Sequence, residues 1–141
     1  MKLKNIDIIN YMNFLTSMSE KKLPQKITYA IVRNLKIIKE EYDLYFESLN
    51  KMIKSYADNI LKDKDGNVQM YQSGLPKVDK TVEEEYLKEA NDLLDIEVEI
   101  DMFKIPEVTF NYENEKYDIL SVKEVMTLID LMGEVPDKKE E

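Results

Sequence analysis

The longest regular pattern of apolar positions runs from Ile27 to Leu61. Apolar side chains recur there at steps of three and four, the period of an α-helix that buries one face. Neither glycine nor proline interrupts the run. At about 1.5 Å per residue, such a helix would extend roughly 50 Å, so we expect the rest of the chain to pack along it. Its apolar stripe consists of Ile27, Ile31, Leu35, Ile38, Tyr42, Tyr45, Leu49, Met52, Tyr56 and Ile60.

Three shorter stretches also have helical periodicity. The first covers residues 5–18, with Asn5 as the expected N-cap. The second runs from Thr81 to Leu94 and the third from Ser121 to Met132. Both of these begin with a hydroxyl residue that is followed three positions later by glutamate, which is the pattern of a capping box. Gly133 stands at the C′ position where glycine commonly ends a helix.

Alternating apolar and acidic residues predict a strand within residues 96–103, and residues 68–71 and 108–112 are two further β-rich stretches. Together they predict a small antiparallel sheet. The fold class expected is therefore α+β, mainly α, with a long central helix and three shorter helices. The predicted core includes Ile31, Leu35, Ile38, Leu49, Ile100 and Leu128.

The length of 141 residues fits a single globular domain, residues 1–141, and its charged end at residues 137–141 is expected to be a short mobile tail. No run approaches 18 apolar residues, so we expect no membrane-spanning segment. The first residues carry two lysines, but polar residues interrupt the apolar stretch after them, and we expect no secretory signal. A cytoplasmic protein is the expectation from these features.

The composition argues against catalysis. The chain has no histidine and no cysteine, which removes the commonest general base and the nucleophile or metal ligand that cysteine supplies. Only three glycines are present, too few to build a glycine-rich phosphate loop. We therefore expect no enzyme activity, no cofactor and no bound metal. The carboxylates Glu97, Glu99 and Asp101 could contribute oxygen ligands to a Mg²⁺ site, but a solvated outer strand face is the simpler interpretation.

Negative charge is concentrated in the second half of the chain. Residues 1–76 carry 12 basic and 9 acidic groups, whereas residues 77–141 carry 8 basic and 20 acidic groups. Such a half would repel nucleic acid and would suit a protein partner with a basic surface. The simpler interpretation of the same charge is that it keeps the protein soluble. The residues expected to contact a partner are Glu83, Glu84, Glu97, Glu99 and Asp101.

Several short motifs are similar to those of small proteins of unknown function encoded by tailed phages and prophages of low-GC Gram-positive bacteria. They are Lys22-Leu23-Pro24 with Lys26, Tyr29-Ala30, Arg33-Asn34, Asp65-Gly66-Asn67, and Leu93-Leu94 running into Ile96-Glu97-Val98-Glu99-Ile100. The resemblance covers most of the chain and consists of structural signatures. It implies a role in phage biology and carries over no functional residue.

Two functions are consistent with these features. The first is a non-catalytic inhibitor of a host defence or nucleic-acid-handling enzyme, comparable to an anti-CRISPR protein, that acts through an acidic surface. The second is a phage assembly accessory or chaperone that acts through the long helix. In that case the interface would consist of Tyr45, Leu49, Met52 and Tyr56. Oligomerisation of the chain through the long helix is one way in which such an interface would be used.

Overall fold

A computed structural model describes residues 1–134 of the chain. Within these residues it contains four α-helices, two short 3₁₀ turns and two small two-stranded sheets. The predicted α+β, mainly α, class is confirmed. The predicted tail at residues 137–141 lies outside the described residues. In chain order the elements are β1 (Lys2–Lys4), α1 (Asn5–Ser19), α2 (Gln25–Ser55), a 3₁₀ turn (Ala57–Asn59), α3 (Glu83–Asp95), β2 (Glu97–Glu99), β3 (Ile105–Pro106), a second 3₁₀ turn (Glu107–Phe110), α4 (Val122–Met132) and β4 (Gly133–Glu134).

The long central helix is continuous, as the apolar stripe predicts, but it ends at Ser55 and not at Leu61. Tyr56 leaves helical geometry, and its ring packs edge-on against Tyr86 with the ring centroids 5.0 Å apart. Past that point the backbone pairs with a distant segment, since the Asp79 amide donates to the Asn59 carbonyl. These tertiary contacts turn the chain away from the helix axis although its apolar period continues.

The other predicted helices are present, but the N-cap of the first and the start of the second differ from the prediction. The first begins at Asn5, but its N-cap is Lys4, whose amide donates to the Asp7 carboxylate. The predicted N-cap Asn5 is instead buried and donates from its side-chain amide to the Leu93 carbonyl at 2.8 Å. Helix α3 starts at Glu83, and Thr81 does not cap it.

The last helix confirms its predicted capping box. Ser121 accepts a hydrogen bond from the Glu124 amide at 3.1 Å, and the Glu124 carboxylate accepts one from the Ser121 amide at 2.8 Å. Gly133 follows the helix as predicted, but with φ −80° it is extended and begins β4. Glycine fits there because a Cβ atom would lie 2.8 Å from the Ile129 carbonyl oxygen, closer than packing permits.

A small antiparallel sheet exists, but its membership differs from the prediction. The strand β2 covers only Glu97–Glu99, and its partner is the unpredicted strand Lys2–Lys4. Val68 and Met70 form only isolated bridges, with Lys62 and Pro76, instead of a strand. A sequence pattern identifies a chain segment that can pair but not its partner, and here the partner lies about two thirds of the chain length away.

Residues 108–112 form no strand, although they are rich in β-formers. Their first part lies in the 3₁₀ turn Glu107–Phe110, which follows Pro106 and turns the Phe110 ring into the core. Proline is well suited to start such a turn because its φ is already close to the helical value. The short strand β3 just before it pairs in parallel with β4.

Two apolar clusters lie along α2. The larger one surrounds its first part and collects residues from α1, α4 and the segment around Ile100. The smaller one gathers around Tyr56, Val78 and Tyr86 near its C-terminal end. The predicted core residues Ile31, Ile38, Leu49, Ile100 and Leu128 are buried, whereas Leu35 is only half-buried.

Candidate partner-binding surface

The carboxylates of β2 lie beside lysines. In the antiparallel register Glu97 faces Lys4 and Glu99 faces Lys2, and all four side chains are exposed. The Met1 amino group also lies 2.9 Å from the Glu99 carboxylate. Opposite charges across a strand pair attract each other, so much of the negative potential of this row is compensated locally.

The other predicted contact residues have different surroundings. Asp101 follows β2, is exposed, and forms no ion pair within residues 1–134. Glu84 is also exposed, in the first turn of α3. Glu83 next to it is half-buried and accepts a hydrogen bond from the Tyr71 hydroxyl at 2.7 Å. Burial and this bond raise the pKa of Tyr71.

The five predicted residues form two groups and not one cluster. Glu83 and Glu84 lie at the N-terminal end of α3, whereas the β2 carboxylates follow its C-terminal end. A helix of 13 residues separates the two groups, which corresponds to about 20 Å. A single partner surface that contacts both groups would therefore have to run along α3.

Helix α3 itself carries a strong excess of negative charge. It contains six acidic residues and a single lysine, Lys88. Within residues 1–134, two of the six carboxylates form ion pairs: Asp92 with Lys88 at 3.0 Å, and Asp95 with Lys4 at 3.7 Å. The others carry uncompensated charge, and Glu85 and Glu89 are exposed to solvent. The composition of the helix predicts this charge, but the sequence-based selection of contact residues omits Glu85, Glu89 and Asp92.

A groove runs between α3 and the second half of α2. Its larger part has a volume of about 490 Å³, and a smaller part of about 100 Å³ continues from it. Ser48, Leu93 and Ile96 line both parts, so the two form one depression, which we call the α2–α3 groove. No sequence signal predicts this groove, because its two walls are far apart in the chain.

Acidic side chains also affect the tyrosine at one end of α2. Burial raises the pKa of the Tyr56 hydroxyl to about 12, and the carboxylates Glu89 and Glu85 beside it add to the rise. Both carboxylates belong to α3 and are exposed. Tyr56 therefore stays protonated and neutral over the physiological pH range, close to the acidic wall of the groove.

The tyrosines of the long helix are mainly part of the core. Tyr45 and Tyr56 are buried, as is Leu49, whereas Met52 is half-buried. Tyr29 is the exception, because it is 55% exposed and lies next to Phe103 and Arg33. Three of the four residues predicted as an interface, Tyr45, Leu49 and Tyr56, are therefore occupied by contacts within the chain.

A second cleft lies between the loop 110–120 and α4. It has a volume of about 590 Å³ and is lined by aromatic, acidic and amide side chains that include Tyr112, Tyr117 and Glu115. None of the five predicted contact residues lines it. Burial raises the pKa of Tyr112, whose hydroxyl donates to the Asp118 carbonyl at 2.6 Å.

Within the described part of the chain, no three His, Cys, Asp or Glu side chains are gathered so as to hold a metal ion. Every helix in residues 1–134 is too short or too polar to cross a bilayer. Comparisons with protein-family models, with curated proteins and with solved structures find no match to this chain.

Proposed function

We propose that this chain is a non-catalytic, phage-encoded inhibitor that binds a host protein with a basic surface. The proposed target is a host defence or nucleic-acid-handling enzyme in the cytoplasm. The proposed role therefore resembles that of an anti-CRISPR protein. The observation that carries the proposal is the exposed and largely uncompensated negative charge of α3. The composition, which lacks histidine and cysteine, supports a role in binding and not in catalysis.

The proposed mechanism is competition with nucleic acid. Proteins that hold a phosphate backbone do so with clustered lysine and arginine side chains. A helix with exposed carboxylates presents the same sign of charge as that backbone, and it can occupy such a cluster while repelling the nucleic acid itself. Glu83 and Glu84 at one end of α3, and Glu97, Glu99 and Asp101 beyond the other, extend the proposed contact surface.

The first test is capture of the partner from host lysate, identified by mass spectrometry, followed by binding kinetics with the purified partner. We expect association to slow as salt rises, because steering between charges is screened beyond roughly 8–10 Å at physiological ionic strength. Neutralising Glu97, Glu99 and Asp101 to the corresponding amides should lower the association rate several-fold. Glutamine is preferred to lysine at the two glutamates because lysine would face Lys2 and Lys4 across the ladder.

A matched control uses Glu113→Gln and Glu115→Gln, two exposed carboxylates on the loop beside the second cleft. These changes remove two negative charges, one fewer than the first variant, from a different part of the surface, and we expect a much smaller effect on the association rate. If the partner binds the variant neutralised at Glu97, Glu99 and Asp101 with unchanged affinity, those three carboxylates do not contribute to the contact. Unchanged affinity after neutralising Glu83, Glu84 and Glu89 as well would reject the acidic-surface mechanism.

The alternative of an assembly accessory that acts through α2 draws less support. Tyr45, Leu49 and Tyr56 are buried within the chain, so an interface made of them would require the fold to open. The mass of the purified protein in solution distinguishes the two proposals. A stable oligomer, or co-purification with a virion protein, would favour the assembly role.

A further inference from the structure

The α2–α3 groove exposes large apolar side chains on a concave surface. Leu44 is 55% exposed and Ile96 is 47% exposed, and the half-buried Met52 and Leu93 continue the floor between them. Single exposed apolar residues are common on protein surfaces. Several of them lining one groove are instead typical of a binding site.

The rim of the groove is acidic. Glu41, Glu89 and Asp92 line it, together with Lys51. The Lys51 ammonium lies 3.7 Å from the Glu47 carboxylate, and Lys88 pairs with Asp92, so both lysines are already partly compensated. An occupant that matches this groove therefore needs an apolar side for the floor and positive charges for the rim.

The dimensions of the groove fit one helix. Its lining residues on α2 extend from Glu41 to Ser55, which corresponds to about 21 Å along the helix axis, or about four turns of a docked helix. Both walls are helices, whose backbone groups are bonded within each helix. Along these two helical walls an extended strand would find no free backbone ladder, so recognition there relies on side chains.

We propose that the α2–α3 groove binds one amphipathic, basic helix of the protein partner. This inference rests on the proposed function and names the surface and the partner element that it would use. Apolar side chains at positions i, i+3, i+4 and i+7 of the docked helix fill the floor between Leu44, Met52 and Ile96. Its lysines or arginines flank that stripe and face Glu41 and Glu89. A second copy of this chain is disfavoured as occupant, because it would bring an identical acidic rim against the first.

The test uses a fluorescent 18-residue peptide of leucine and lysine with leucines at helical spacing, and the intact protein. Two further peptides serve as controls: a scrambled one of the same composition, and one with glutamate in place of lysine. Fluorescence anisotropy should give a dissociation constant for the amphipathic basic peptide at least tenfold lower than for either control. Comparable binding of the scrambled peptide would overturn the proposal, since charge alone would then explain the interaction.

Variants locate the bound peptide. Leu44→Gln with Ile96→Gln should weaken binding at least tenfold, and both residues are exposed enough for the fold to persist. The matched control is Ile119→Gln with Val122→Gln, because those side chains are 93% and 78% exposed outside the groove. We expect the control to bind within about twofold of the original protein. If the control loses binding and the groove variant does not, the peptide binds elsewhere and the assignment is wrong. Thermal unfolding of each variant checks that its fold is retained.

The same variants separate this inference from the proposed function. If the host partner binds the Leu44→Gln, Ile96→Gln variant as well as the original protein, the groove assignment fails and the proposed function stands. If the peptide binds in the groove but the protein captures no basic host protein, the groove assignment stands and the proposed function fails. If the groove variant loses binding to both the peptide and the host partner, and the control variant keeps both, the result supports the groove assignment and the proposed function together.

Discussion

Asn34 is a polar side chain in the middle of the apolar stripe of α2, and it is completely buried. Its amide nitrogen donates to the Phe103 carbonyl at 2.9 Å, and its amide oxygen accepts from the Phe103 amide at 2.7 Å. One side chain thus satisfies both backbone groups of a residue on the irregular segment after β2. Buried backbone groups that lack a partner are costly, so this pair fixes the segment against the helix.

Replacing Asn34 by alanine should lower the free energy of unfolding by about 2–5 kcal/mol, because two partly buried backbone groups of Phe103 would lose their partners. The matched control is Asn50→Ala, an exposed position on the same helix that shares the change in helix propensity. We expect that control to change stability by about 0.5 kcal/mol or less. Urea denaturation of both variants provides the measurement. Equal effects at the two positions would mean that the Phe103 backbone finds other partners.

The ends of the helices are set by local chemistry in some elements and by distant contacts in others. The box at the start of α4 is local, since Ser121 and Glu124 exchange hydrogen bonds within one turn. The same sequence pattern at Thr81 forms no cap: α3 starts at Glu83, and the Thr81 hydroxyl donates to the Asp79 carboxylate instead. Asp79 also accepts from Asn59, so it connects the segment before α3 to the 3₁₀ turn that follows α2.

These two positions give a paired prediction on stability. Ser121→Ala should cost about 1 kcal/mol, the usual cost of removing a helix N-cap. Thr81→Ala should cost clearly less, because its side chain caps no helix and its bond is at the surface. Thermal or urea unfolding of the two variants checks the order. A larger loss at Thr81 than at Ser121 would contradict the conclusion that the bond to Asp79 adds less than a helix cap.

On the scale of the described residues 1–134, α2 connects two apolar clusters of unequal size and different composition. The larger cluster is mostly aliphatic, whereas the smaller one is centred on Tyr56 and Tyr86 and has Tyr71 at its edge. Burial raises the pKa of all three tyrosines, and also those of Tyr45 and Tyr112. The folded state therefore binds these five protons more tightly than the unfolded state does.

This linkage predicts how stability depends on alkaline pH. The stabilisation is fully present below the pKa of an unfolded-state tyrosine, about 10, and it is lost as the pH rises through the raised folded-state values. For Tyr56 that loss extends to about pH 12. Urea unfolding between pH 8 and 12 should show falling stability, with a shallower fall in Tyr56→Phe. Identical slopes in the two proteins would mean that Tyr56 titrates normally, and tyrosinate absorbance offers an independent check.

The sequence by itself determined the parts of this protein that depend on neighbours along the chain. The stripe of α2, the run of α1 and the cap of α4 follow from period and capping residues, because an α-helix closes its hydrogen bonds within four positions. The turn at Asp65-Gly66 is equally local, and Gly66 has the positive φ, 82°, that such a turn needs.

Only the tertiary structure decided which distant segments meet. Three features depend on residues that no local pattern connects: the pairing of β2 with Lys2–Lys4, the two hydrogen bonds between Asn34 and Phe103, and the end of α2 at Ser55. The α2–α3 groove belongs to the same class, because its walls and rim come from separate helices. A strand, an amide or an acidic helix face is equally compatible with several partners in sequence, and the choice among them depends on the burial that the complete fold achieves.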